Sequence, residues 1–119
     1  MRPNFAALTE LIRSYEGPHD EDSLALFGEF RHLWALDWEE QRFWVPEDNS
    51  VLRALQYVSL NTGALRFPWH AYCWNDTQGC CEFVLQTPQG PQIRRACRTS
   101  VEPGMRLIRL PKGGQRCAP

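Results

Sequence analysis

Four cysteines constrain this chain more than any other feature. Cys73, Cys80 and Cys81 crowd one short stretch, Cys73-Trp74-Asn75-Asp76-Thr77-Gln78-Gly79-Cys80-Cys81, and Cys97 returns after a hairpin-like segment. Thiolates gathered this way hold a soft metal or an iron–sulfur cluster, and four suffice for either. The bland alternative is a set of small buried hydrophobes, a common fate of cysteine. The fifth cysteine, Cys117, stands in the tail and reads as a surface thiol.

The cysteine count also bears on compartment. The first ten residues carry an early charge at Arg2 but no adequate apolar core, so no secretory signal is expected. An odd number of cysteines without an export signal argues for reduced or metal-bound thiols over a disulfide framework, and for a cytoplasmic location. No apolar run approaches the ~20 residues of a membrane span. The formal charge of -1 supplies no strong field toward nucleic acid or an anionic membrane. At 119 residues with 43% apolar content, the chain suits one folded domain with an appended segment.

Periodicity orders the elements. Phe5, Leu8, Leu11, Ile12 and Tyr15 recur at helical spacing and predict a helix over 4–16. Leu24, Phe27, Phe30 and Leu33 predict a second helix over 21–33, with Asp20, Glu21 and Asp22 complementing its dipole and Gly28 weakening it. Two strands follow, Leu33 to Asp37 and Gln41 to Val45, with Phe43 and Val45 on one face. After the turn Pro46-Glu47-Asp48-Asn49, Asn49 or Ser50 caps a helix from Val51 to Leu60. The stretch from Asn61 to Gly79 is irregular, which in a small domain is often functional. Cys81 to Thr87 and Gln92 to Cys97 form a hairpin, Met105 to Leu110 a last strand, and 111–119 a mobile tail. The order predicts an α+β domain over 35–110, a small sheet curled over one helix, behind an N-terminal helical extension over 1–34.

Three segments carry a resemblance. They are Phe43 to Leu55, Cys73 to Val84, and Ala96 to Met105. From Arg42 onward the chain resembles the 2Fe–2S ferredoxin-like, β-grasp family. It does so in the style of the 2Fe–2S domains built into succinate dehydrogenase, complex I, hydrogenase and formate dehydrogenase subunits. The family loop reads Cys-x4-Cys-x2-Cys with a fourth cysteine further on. Cys73 matches the first position, Cys81 the third and Cys97 the fourth, while Gln78 occupies the second. Gly79 matches the turn glycine, and Cys80 fills a slot usually held by a small residue. The resemblance implies a 2Fe–2S cluster on Cys73, Cys81 and Cys97, with Cys80 as replacement ligand. Asp76 and His70 are the other candidates for that place, since oxygen or imidazole ligation occurs.

The implied activity is one-electron transfer as a small accessory subunit of a larger oxidoreductase. Two other readings stay open. One is a cluster-free β-grasp interaction scaffold whose ligand set has decayed at Gln78. The other is a zinc-stabilised adaptor, although a vicinal cysteine pair suits tetrahedral chelation badly. No hydrolase triad, HExxH, phosphate loop or dinucleotide fingerprint is present, so no catalytic site of its own is expected. Trp69, Tyr72 and Trp74 are candidates for shielding the loop from water or for a partner contact, and equally for covering the loop and completing the core. Arg94, Arg95 and Arg98 are candidates for facing an acidic partner. The N-terminal helices are candidates for docking to a larger redox subunit or for self-association.

Overall fold

The computed structural model describes residues 11–17, 19–69 and 81–116. Its main sheet has six strands: β1 (Ile12–Ser14), β2 (His32–Trp38), β3 (Gln41–Pro46), β5 (Glu82–Thr87), β6 (Gly90–Arg95) and β7 (Met105–Arg109). A second, two-stranded sheet pairs β4 (Leu65–Arg66) with β8 (Gln115–Arg116). Among the described residues the helices are α1 (Glu21–Phe27) and α2 (Val51–Thr62). The α+β expectation holds, and no helix among the described residues is long and apolar enough to cross a membrane.

β2 is the central strand. On one side it pairs antiparallel with β3 through the tight turn at Glu39 and Glu40, where Glu39 adopts a positive φ of 55°. On the other side its second half, Leu36 to Trp38, pairs parallel with β7. β7 then pairs antiparallel with β5, and β5 with β6. The strands therefore lie in the order β3-β2-β7-β5-β6. A parallel neighbour cannot be reached by a tight turn. The chain between β3 and β7 therefore holds α2, the cysteine loop and the β5–β6 hairpin.

Alternation decides which face is buried. Leu36, Phe43, Val45, Phe83, Met105 and Leu107 point to one side and form a core with Val51, Leu52, Ala54, Leu55 and Val58 of α2. Ser50 caps this helix through its hydroxyl, which accepts the Arg53 N–H at 3.1 Å, and Gly63 ends it in the left-handed region at φ 68°. The predicted helix, both hairpins and the last strand are present within one or two residues.

The N-terminal expectation is corrected. Ile12–Ser14 is strand, paired antiparallel with Trp34, Leu33 and His32. Residues 4–10 of the expected helix lie outside the described residues. The cause is an edge left open: β7 covers only the second half of β2, and β1 fills the first half. Leu11 is helical as expected, and pairing along that edge outweighs the helical spacing from Ile12 onward. The second helix stops at Phe27 instead of running to 33, because Gly28 takes φ 74° and donates its N–H to the Leu24 carbonyl at 3.0 Å. Phe30 remains buried, but in an aromatic cluster off the helix. Its ring lies 4.8 Å from Tyr15, 4.7 Å from His19 and 6.0 Å from Tyr57 of α2. The segment expected as a separate helical extension thus adds a strand to the main sheet and packs on α2.

The tail is also corrected in part. Gln115 and Arg116 pair with Arg66 and Leu65, and Pro111 is buried. Gly114 is required here, since a Cβ at that position would come within 2.4 Å of the Phe67 ring. Cys117 and the last residues lie outside the described residues.

Leu55 is fully buried between α2 and the sheet. Leu55→Ala should lower unfolding free energy by about 2–5 kcal/mol, and the exposed Leu60→Ala by well under ~1 kcal/mol, in urea denaturation followed by circular dichroism.

Candidate functional site

Two of the candidate ligands, Cys81 and Cys97, are described, and the fold brings them together. Cys81 is the residue just before β5 and is fully buried (0% exposed). Cys97 lies in the turn after β6 and is half-buried. The Cys97 backbone N–H donates to Cys81 Sγ at 3.4 Å. One residue earlier, the Ala96 N–H donates to the Cys81 carbonyl at 3.1 Å. The hairpin register makes this meeting automatic. Glu82 pairs with Arg95, so the residues just outside that pair, Cys81 and Ala96–Cys97, must face each other.

The turn after β6 is held in shape locally. The Arg95 carbonyl accepts the Arg98 N–H at 3.0 Å and the Thr99 hydroxyl at 2.8 Å. It is held in place by α2. A helix leaves its first four N–H groups without intrahelical partners. Here Val51 donates to the Thr99 carbonyl at 2.7 Å and Leu52 to the Ala96 carbonyl at 3.0 Å. Arg53 donates to the Ser50 hydroxyl and Ala54 to the Ser50 carbonyl at 2.9 Å. Val101 closes the arrangement by donating to the Asn49 carbonyl at 2.9 Å. Two first-turn amides of α2 are thus satisfied by carbonyls from the Cys97 turn and a third by the Ser50 hydroxyl, while the Ala54 bond begins the helix's own ladder.

Cys73 and Cys80 lie outside the described residues, as do Gln78, Asp76 and His70. Among the described residues, no group of three or more His, Cys, Asp or Glu side chains converges as a metal site. The other candidate ligands fall within 70–80, the stretch that precedes Cys81 in the sequence. Tyr72 and Trp74 fall in the same segment. Trp69 packs against the core beside Phe67, their ring centroids 4.8 Å apart. That is the core-completing role rather than an observed shield over the cysteines.

The chain order from Cys97 to Thr99 was marked only by its cysteine. The signal for the rest was a Ser/Thr-rich turn, Thr99-Ser100, ahead of a buried valine. Glu47 was read only as a turn residue, yet it ties the N-terminal segment to the turn before α2. Its carboxylate accepts the backbone N–H groups of Arg31 at 2.8 Å and His32 at 2.7 Å, and faces His32 Nδ1 at 3.2 Å. Asn49 extends the tie by donating to the carbonyls of Phe27 and Glu47 at 3.0 and 2.8 Å. Partial burial pushes the Glu47 carboxyl up. The N–H donors of Arg31 and His32, with the His32 imidazole, outweigh it and hold the group below its ordinary value. Tyr57 is shifted the other way, its phenol raised by burial and by Tyr15.

No protein-family model, no curated protein and no solved structure matches this chain. The functional reading rests on the geometry above and on the sequence pattern.

The Glu47 tie gives a pH dependence of definite sign. A carboxyl whose folded pKa lies below its unfolded value binds fewer protons when folded. Its stabilisation is present above the unfolded value of about 4.3 and is lost as pH falls through the folded value. Glu47→Gln should cost about 1 kcal/mol at neutral pH, and the difference from the parent chain should shrink below pH 4, in urea titrations across that range.

Proposed function

We propose that this chain is a one-electron carrier that holds a 2Fe–2S cluster on Cys73, Cys81 and Cys97 with Cys80 as fourth ligand, and that it serves a larger oxidoreductase. The observation that carries the reading is the contact of the Cys97 N–H with Cys81 Sγ. Two cysteines that match ligand positions of the family loop, distant in sequence, stand side by side at the mouth of the cysteine-bearing segment.

The strand order supports the finer fold reading. A β-grasp sheet has a first hairpin, a helix crossing one face, and a last strand inserted parallel beside the first. The order β3-β2-β7-β5-β6, with β2 and β7 parallel and α2 across the core face, fits that description. It also supports the siting of the third and fourth ligands, which the family places at the entry to one strand and on the turn after its hairpin partner.

The residues present fit the donor set of such a group. Both described thiols converge, and a backbone N–H is already aimed at one sulfur, a feature that tunes the potential of iron–sulfur centres. When bound, the cluster supplies exchange of a single electron. The chain supplies the rest. Cys81, buried at the start of β5, keeps its sulfur from water. The α2 amides on Ala96 and Thr99 fix the Cys97 turn, so little rearrangement is needed when the charge at the site changes. Gln78 in the second ligand position leaves Cys80 as the nearest thiolate, reached by shifting the loop two residues.

The full burial of Cys81 also favours the cluster-free scaffold as second reading, because a small buried thiol is an adequate core residue.

Protein purified without oxygen should contain about two irons and two acid-labile sulfides per chain and show visible charge-transfer absorption. Cys81→Ser and Cys97→Ser should each abolish retention, while Cys80→Ser should bleach or weaken it. Folded, colourless, iron-free protein would turn the reading to the scaffold, and zinc in stoichiometric amount would turn it to the adaptor.

A further inference from the structure

The near-neutral net charge hides a strong separation along the chain. Residues 82–116 carry seven cations (Arg94, Arg95, Arg98, Arg106, Arg109, Lys112 and Arg116) against two carboxylates, Glu82 and Glu102, a balance of +5. Residues 11–48 carry three cations against ten carboxylates, a balance of −7.

The basic portion has an apolar centre. β6 and β7 each carry a large exposed hydrophobe on the face of the sheet away from α2. Ile93 is 60% exposed and Ile108 43% exposed. Register places them together. Val84 pairs with Ile93 on one side and with Arg109 on the other, so all three share that face. Leu85 then pairs with Leu107, which makes Ile108 the extra residue of a β-bulge and turns it outward beside Arg109. Arg106 flanks the strip, whereas Arg94 pairs with the buried Phe83 and so stands on the other face. Among the described residues, neither Arg106 nor Arg109 forms a salt bridge with a carboxylate. Arg94 reaches the Ile93 carbonyl at 3.1 Å and Gln92, and Arg106 the Glu39 carbonyl at 3.1 Å.

Strand addition is not the way this side is used. Pro91 has no N–H to offer at the open edge of β6. The Ile93 carbonyl is taken by Arg94, and the Arg95 carbonyl by Arg98 and Thr99. The edge is closed, and the face is left open. The only aromatic side chain between 82 and 109 is Phe83, which is buried, so no ring stands ready to stack on bases.

We propose that the strip centred on Val84, Ile93 and Ile108 is a docking surface for an acidic protein partner, with Arg106 and Arg109 meeting its carboxylates. Unpaired guanidinium groups around exposed isoleucines give charge complementarity at the rim and dehydration at the centre. The assignment does not depend on the cluster. A second copy also offers acid, since Asp20, Glu21 and Asp22 surround the exposed Leu24 on α1. That helix offers one exposed large hydrophobe, Leu24, against Ile93 and Ile108 on the strip, so it matches the basic rim but not the apolar centre, which a different partner covers.

Fluorescence anisotropy with a labelled Glu/Leu peptide tests the surface. Saturable binding that weakens with added salt is expected. Arg109→Glu and Ile93→Ser should each reduce affinity about tenfold. Leu60→Ser, on the exposed end of α2, should leave it unchanged. Circular dichroism of each variant keeps misfolding from passing as lost binding. Affinity no greater than for a neutral peptide of equal length, or unaltered in the two strip variants, overturns the proposal. So does tighter binding of a single-stranded oligonucleotide. Self-association of the chain alone, abolished by the same substitutions, would assign the strip to a second copy and overturn it equally.

Discussion

The structure depends on the first turn of α2. Helix N-termini present amides that need acceptors and a partial positive charge that favours them. Water satisfies this need in most surface helices. Here the need is met by the backbone of the Cys97 turn, through Thr99 and Ala96. Two hydrogen bonds, from Val51 and Leu52, therefore close the helix start, hold the turn and fix its height relative to β5. Because Ala96 also donates to the Cys81 carbonyl, the position of one cysteine is transmitted to the other through rigid elements on both sides.

Topology makes this arrangement costly to lose. β2 and β7 are parallel neighbours, so the chain between them has to leave the sheet and come back. The helix, the cysteine segment and the β5–β6 hairpin all lie on that excursion. The turn that joins the hairpin to β7 passes directly under the helix N-terminus, where Ser50 and Ser100 form an isolated bridge. The N-terminal segment reinforces the same corner from the other side. Glu47 and Asn49, the residues just before the cap, hold Arg31, His32 and Phe27. The cap of α2 is thus the junction at which the sheet, the helix, the cysteine turn and the N-terminal segment meet.

Much of this was legible in the sequence because it is local. Alternation at Arg42-Phe43-Trp44-Val45 and a cap signal at Asn49-Ser50 are read within a few residues, and both hold. The misread elements are those decided by distant partners. Ile12–Ser14 is strand because β7 stops short on β2, and Gln115–Arg116 is strand because Leu65 and Arg66 offer an edge. Neither fact is written near those residues. Phe30 was expected on one face of the second helix, and it lies past the end of that helix. Gly28 ends α1 and sends the ring into a cluster with Tyr15 and Tyr57 that periodicity cannot foresee. At the site, the pairing of Cys81 with Cys97 follows from hairpin register, while the acceptor role of Thr99 depends on where α2 lands. The charge separation between the two ends of the chain could be counted in advance, but only the bulge at Ile108 shows that the basic end has an apolar centre.

The central claim is that the Cys97 turn is bonded to the start of α2. Amide hydrogen exchange by NMR reports on it residue by residue. The account predicts that the Val51 and Leu52 amides are protected as strongly as those in the middle of α2, although first-turn amides ordinarily exchange fast. Rapid exchange at both positions, with the rest of the helix protected, would contradict it and would detach the turn that carries Cys97 from the helix held here to position it.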